Sequence, residues 1–329
     1  MGPSSPPISK TDTIGNPVSK ERPLLVIGGP TAVGKSALAL SLAGELEGEI
    51  ITADSMQVYR YLDIGTAKPT PAERRGIPHH LIDVVDPDQP FSAAQYKRLA
   101  QEAIEEIERR GHLPIVVGGT GFYIKTLLWG LSPSPGEDPA IRYRLRQEAE
   151  KNGGRCLWTR LRAVDPTAAA RIHTHDLFRI VRALEVWEKT GKPISSWQKE
   201  HREVSRPRKA CLFGLIWDRA KLYRRVDARV ESMFAQGLVE EVAGLLGRGF
   251  SPHLKSLQGL GYRQVVGYLR GMYPLDEAVR RLKRDTRRYA KRQITWFKGM
   301  EGISWIKLEG EEDLPQAIAY VKKSLESCR

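Results

Sequence analysis

Residues 24–36 read LLVIGGPTAVGKS: four apolar residues, two glycines, then a loop that closes on Gly34, Lys35 and Ser36. The stretch Gly29-Pro30-Thr31-Ala32-Val33-Gly34-Lys35-Ser36 satisfies G-x-x-x-x-G-K-[ST]. It follows a short apolar run with strand character and precedes SALALSLAGELE, which has helical composition, and that is the context the motif requires. Its chemistry follows from its parts. Glycines let backbone amides converge on a diphosphate, the helix amino end adds positive potential, Lys35 supplies a point charge, and the Ser36 hydroxyl can hold Mg²⁺. The loop alone leaves open which molecule carries the diphosphate.

Working outward, EIITADS reads as a second strand ending at Asp54, and SAAQYKRLAQEAIEEIERRG reads as a helix capped by Ser92 and stopping near Gly111. Residues 113–117 then read as a buried strand closing on Gly118-Gly119. Strands separated by helices predict an α/β fold with a doubly wound parallel sheet, whose ligands sit beyond the carboxyl ends of the strands. Asp54 and the glycines fall there. The third of these strands ends in Gly118-Gly119-Thr120-Gly121 and offers no carboxylate, which leaves Asp54 as the best placed general base or metal partner.

From about Gly136 the pattern changes. Residues 137–205 read as an inserted all-helical subdomain, placed between a first part of the core at 23–136 and a return to it at 206–329. ACLFGLIW at 210–217 has strand character, long helices run on through Phe297, residues 303–308 read as a last strand, and a terminal helix begins near Leu314. Residues 1–22, rich in Pro, Ser and Lys without an apolar period, are expected to be a disordered leader. No segment approaches the ~18 uninterrupted apolar residues of a spanning helix, and the start lacks a signal-peptide apolar run, so the expected location is the cytoplasm.

The 329 residues carry 52 Lys plus Arg against 39 Asp plus Glu, a formal net charge of +13 that suggests a polyanionic partner. The excess is concentrated. RRLKRDTRRYAKRQITWFK, residues 280–298, holds nine basic residues and one acid, Asp285, with Tyr289, Trp296 and Phe297 interleaved. Arg287, Arg288, Lys291 and Arg292 are therefore candidates for a phosphate backbone, and Trp296 and Phe297 read either as RNA contacts or as core anchors. Three widely spaced cysteines, Cys156, Cys211 and Cys328, suit neither a disulfide framework nor a zinc site. The neighbours His79 and His80 read as structural, since adjacent residues rarely face one ligand.

Beyond the loop, ADSMQVYRYLDIGTAKP at 53–69, PHHLIDVVDP at 78–87, VVGGTGFYIKTLLWGL at 116–131, GLGYRQVVGYLRG at 259–271 and RYAKRQITWF at 288–297 together resemble the tRNA dimethylallyltransferase family, also called tRNA isopentenyltransferase. The resemblance spans essentially everything after the leader. It implies transfer of a dimethylallyl group from dimethylallyl diphosphate to N6 of the adenosine immediately 3′ of the anticodon, with release of diphosphate. On the matching positions it implies Asp54 as the base. Ser55, Met56 and Gln57 would contact the extruded adenosine, and Thr120 would position the amine. Lys35 and Ser36 would hold diphosphate and Mg²⁺ with help from Arg225. Arg142, Arg179 and Arg182 match tRNA contacts in the inserted helices, where Phe178 replaces the family's Gln. Partners implied are the tRNA anticodon stem-loop and the prenyl donor, with no membrane, and the chain reads as a monomer. Two other enzymes fit the loop: an ATP-dependent small-molecule kinase and a prenyl transferase of free adenine nucleotides. An RNA-binding module with a vestigial loop is the non-catalytic alternative.

Overall fold

The structure, a computed structural model, describes residues 23–204 and 207–327. The expected leader, the boundary at 205 and 206, and Cys328 lie outside the described residues. Six strands form one sheet: β1 Leu24–Gly28, β2 Gly48–Thr52, β3 His79–His80, β4 Leu113–Gly118, β5 Ala210–Trp217 and β6 Ile303–Leu308. Their order is β3-β2-β4-β1-β5-β6 and every pairing is parallel. The expected α/β class and parallel sheet are thus the observed ones. The two-residue β3 was not anticipated, because two residues have no readable period; it forms by pairing with Ile50 and Ile51.

Among the described residues, thirteen α-helices surround or extend the sheet. Between β1 and β4 run α1 Lys35–Glu45 and α2 Ala93–Arg109. After β4 come α3 Gly121–Trp129, α4 Pro139–Asn152, α5 Gly154–Val164, α6 Pro166–Ala169, α7 Leu177–Thr190 and α8 Ile194–Val204. Beyond β5 lie α9 Arg219–Ala235, α10 Leu238–Gly247, α11 Tyr262–Leu269 and α12 Leu275–Lys298, and α13 Leu314–Ser327 closes the described chain.

Sheet sidedness follows from the period of two. In β1, Leu24 and Val26 face a core shared with α2, α3, α10 and α11, while Leu25 and Ile27 face one shared with α1 and α13. Both faces are covered, so the strands read as continuous apolar runs instead of alternating ones. Ser92 caps α2 as expected, accepting from the Gln95 amide while the Gln95 side chain accepts from the Ser92 amide. Within 139–204 there are only helices, and they pack on their own apolar cluster around Leu145, Leu157, Leu161, Ile180 and Leu184.

Candidate active site

The loop at 29–36 turns from β1 into α1 as the motif demands. Gly34, immediately before the helix, holds φ at 95°, a left-handed value that an L side chain adopts only with strain. Ala32 also sits at positive φ, 63°, and Arg225 of α9 braces it by donating from Nε to the Ala32 carbonyl at 3.0 Å. Arg225 in turn stacks on Trp217, 4.5 Å from the ring centre, and pairs with Glu311 at 2.6 Å. It lies with Lys35 and Ser36 on a cleft along the outer side of the loop.

A second cleft, of about 360 Å³, opens at the carboxyl end of the sheet. Its walls bring together Thr31, Lys35 and Ser36 from the loop, Asp54 to Gln57 beyond β2, and Arg292 and Gln293 from α12. Asp54 lies two residues past the end of β2, where the Asp54 Oδ1 accepts from the amides of Met56 at 2.8 Å and Gln57 at 3.3 Å. That turn is held from the neighbouring strand, since Thr120 Oγ1 accepts from the Ser55 amide at 3.0 Å. Gln57 directs its side-chain amide to the carbonyls of Thr66 and Ala67, both at 3.2 Å.

Lys35 is half-buried between the two clefts. Burial first, and the neighbouring Arg229 charge second, push its pKa down from the usual 10.5 to about 7, with Asp54 pulling the other way. Its ammonium donates to the Pro30 carbonyl at 2.7 Å. Arg229 lines both clefts, and burial lowers its own pKa against the favourable charge of Asp54. Two desolvated cations facing one space are costly unless an anion enters it.

Two residues of this site escaped the sequence reading, Arg229 and Gln293, and Tyr289 stands there only as an aromatic among the basic residues of 280–298. Only Arg229 carried a usable signal, four residues after Arg225 and therefore on the same helix face. Gln293 reaches back from α12 to accept from the Thr31 amide at 2.9 Å and to donate to the Gly119 carbonyl at 2.8 Å. A Cβ at position 119 would stand 2.3 Å from the Gln293 Nε2 and would push that side chain off the Gly119 carbonyl. Tyr289 lines the cleft, and burial raises its pKa well above 10.0.

Other candidates lie elsewhere. Arg142 lies half-buried against the buried Glu185, with Nε to Oε1 at 3.0 Å, and also meets Glu137; Arg182 pairs with the same Glu185 at 2.6 Å. Arg179 pairs with Asp176, while Phe178 beside it is 68% exposed. On α12, Arg287 pairs with Asp227 and Arg288 approaches Asp285. The two aromatics divide: Phe297 is fully buried, whereas Trp296 stays 38% exposed against Phe122. His80 is structural, its Nε2 on Glu49 at 2.7 Å.

A parallel α/β sheet with a phosphate-gripping loop at its carboxyl edge and a carboxylate across the same cleft defines a P-loop group-transfer enzyme. The family model of IPP transferases matches residues 57–300, and the chain belongs to that family of prenyl-transferring enzymes. It is 51% identical over 306 residues to a tRNA dimethylallyltransferase of Geobacter sulfurreducens, covering 93% of this chain and 98% of that one. A tRNA dimethylallyltransferase of Pelotomaculum thermopropionicum is 50% identical over 302 residues, 92% of this chain and 95% of its own. Among solved structures, the tRNA isopentenylpyrophosphate transferase of Bacillus halodurans aligns with a TM-score of 0.69 at 38% identity, covering 94% of this chain and 98% of that one. A eukaryotic dimethylallyltransferase acting on tRNA aligns with a TM-score of 0.78 at 30% identity, over 93% and 80% of the two chains. Among the described residues no helix is long and apolar enough to cross a membrane.

Proposed function

We propose that this chain transfers the dimethylallyl group of dimethylallyl diphosphate to N6 of the adenosine immediately 3′ of the anticodon in tRNA. The observation that carries this reading is the placement of Lys35, Ser36 and Asp54 on one cleft in a member of the IPP transferase family. A diphosphate becomes a good leaving group when fixed positive charge meets the charge that grows on it, and the loop amides, Lys35 and Arg229 are that charge. Adenine N6 is a weak nucleophile because its lone pair is delocalised into the ring. A carboxylate at Asp54 accepts its proton as the N–C bond forms and the C–O bond to diphosphate breaks.

Mg²⁺ fits the donor chemistry of the loop, since a hard cation takes few protein oxygens and several phosphate oxygens. Ser36 is the protein oxygen available at the helix start, and among the described residues no three His, Cys, Asp or Glu side chains cluster to form a separate metal cage. When bound, the ion neutralises charge on the departing diphosphate.

The target base must leave its stack, at a cost of a few kcal/mol, so contacts to the rest of the anticodon arm have to offset that. We assign these to α12, through Arg287, Arg288, Lys291 and, at the edge of the cleft, Arg292, and to the inserted helices acting as a tRNA-binding subdomain through Arg142, Phe178, Arg179 and Arg182. The protein would act as a monomer in the cytoplasm.

The deciding experiment is mass analysis of nucleosides from tRNA incubated with the protein and dimethylallyl diphosphate. A prenylated adenosine next to the anticodon is expected. Phosphorylated product from ATP would point to the kinase reading, and free AMP turned over as fast as tRNA would move the substrate to free nucleotides.

A further inference from the structure

Two stretches quoted in the sequence, DIGTAKP at 63–69 and GLGYRQ at 259–264, have no role in the reaction as described so far. They meet at Glu241. This residue lies in the first turn of α10, and its carboxylate collects four donors: the amides of Asp63 at 3.0 Å, Ile64 at 2.7 Å and Gly65 at 3.2 Å, and the Tyr262 hydroxyl at 2.7 Å. Three successive backbone amides pointing at one carboxylate form an anion nest, filled here by the protein's own side chain.

The loop so held is under strain and lines the cleft. Tyr61 and Ala67 adopt positive φ values of 66° and 46°, each costing about 1–3 kcal/mol unless surrounding contacts over-determine them. Lys68, buried on Tyr59, Asp63 and Asp83, is one such contact and Glu241 is the other. Gly65, Thr66 and Ala67 are cleft wall. The Thr66 and Ala67 carbonyls receive the Gln57 side chain, and the Gln57 amide is one of the two that orient the Asp54 carboxylate.

We infer that Glu241 is a positioning residue for Asp54, acting through the loop at 63–67 and Gln57. The argument rests on the proposed role of Asp54 as base and extends it. Glu241 is not part of the cleft wall, and its carboxylate bonds residues 63–65 and Tyr262 and not the phosphate-binding loop. Replacing it with Gln puts an amino group where the carboxylate accepted, so part of the nest faces hydrogen atoms and loses its grip on the loop.

The test is Glu241→Gln, assayed at saturating tRNA and dimethylallyl diphosphate, alone and combined with Asp54→Ala. Expected is a loss of about ten-fold in kcat, with KM for the prenyl donor within about two-fold of wild type. In the Asp54→Ala background the same change should cost less than about two-fold, because the group it positions is gone. Wild-type kcat, an equal loss in both backgrounds, or a loss matched by the unfolded fraction in circular dichroism would each overturn the inference. Should Glu241→Gln fail to fold, Glu241→Asp keeps the charge but withdraws it by one methylene, and the same two-background comparison applies. Full turnover by Asp54→Ala itself would remove the base from the proposed function and this inference with it. A slow Asp54→Ala beside a wild-type Glu241→Gln would remove the inference alone.

Discussion

The side chain of Gln293 accepts a hydrogen bond from the backbone amide of Thr31 at 2.9 Å, across 262 residues of chain. The most basic helix of the protein is thereby fastened to the loop that grips phosphate. The same side chain donates to Gly119, so it ties together the ends of β1 and β4 and the start of the reacting space.

Gln293→Leu takes the acceptor from the half-buried Thr31 amide and leaves the Gly119 carbonyl with only the Gly121 amide at 3.1 Å, at about 1–3 kcal/mol. Affinity for inorganic diphosphate, read by calorimetry, should fall by about ten-fold with tRNA affinity nearly unchanged. Unaltered diphosphate binding would show that the loop holds its shape without this bond.

Diphosphate binding should depend on pH through Lys35. The free protein holds a proton on this amine only up to about pH 7, whereas the unfolded chain holds it to 10.5. Between those values the unfolded chain binds more protons, so the contribution of Lys35 makes the free protein more stable as pH rises. An anion restores the charge, so binding takes up a proton above pH 7 and weakens as pH increases. Arg229→Met removes the second cause of the depression and should shift the pH profile upward. A flat profile from pH 6 to 9 would contradict this assignment.

Salt dependence separates the cations of α12. Arg287 has Asp227 as a partner, whereas Lys291 and Arg292 stand in no ion pair among the described residues. Each of Lys291→Ala and Arg292→Ala should lower the slope of log affinity for tRNA against log salt by about 0.7–0.9, and Arg287→Ala by less. Equal slopes in all three variants and wild type would move the RNA surface off this helix.

At the far end of the sheet Glu49 is buried between Arg110, His80 and His112, with Arg110 Nη2 at 2.7 Å from Oε2. Burial opposes its charge, but hydrogen bonds from Arg110 and the two imidazoles outweigh it and bring its pKa down from 4.5 to about 2. A depressed carboxylate contributes stability above its unfolded pKa and loses it as pH falls through 4.5 toward 2, here about 3 kcal/mol. Glu49→Gln should cost a similar amount at pH 7 in urea unfolding, and the variant should lose less on acidification than wild type does.

Much of this protein was legible along the chain because its signals are local. The strand, loop and helix at 24–45, the Ser92 cap of α2, and the strands at 210–217 and 303–308 depend on neighbours within a turn or a pleat, and each formed where its residues predicted. Lys35, Ser36 and Asp54 could be named because a phosphate-binding loop and a strand-ending carboxylate carry their meaning in short spacings. Tertiary folding alone decided which charges are free and which are spent. Arg142 and Arg182 match tRNA contacts along the sequence, and only the folded chain shows that both also meet the buried Glu185, since an unpaired carboxylate in that setting is costly. Arg229, Gln293 and Glu241 gained their places from helices packed against strands hundreds of residues away or loops remote in the chain, and the distances that matter there exist only once the sheet has closed.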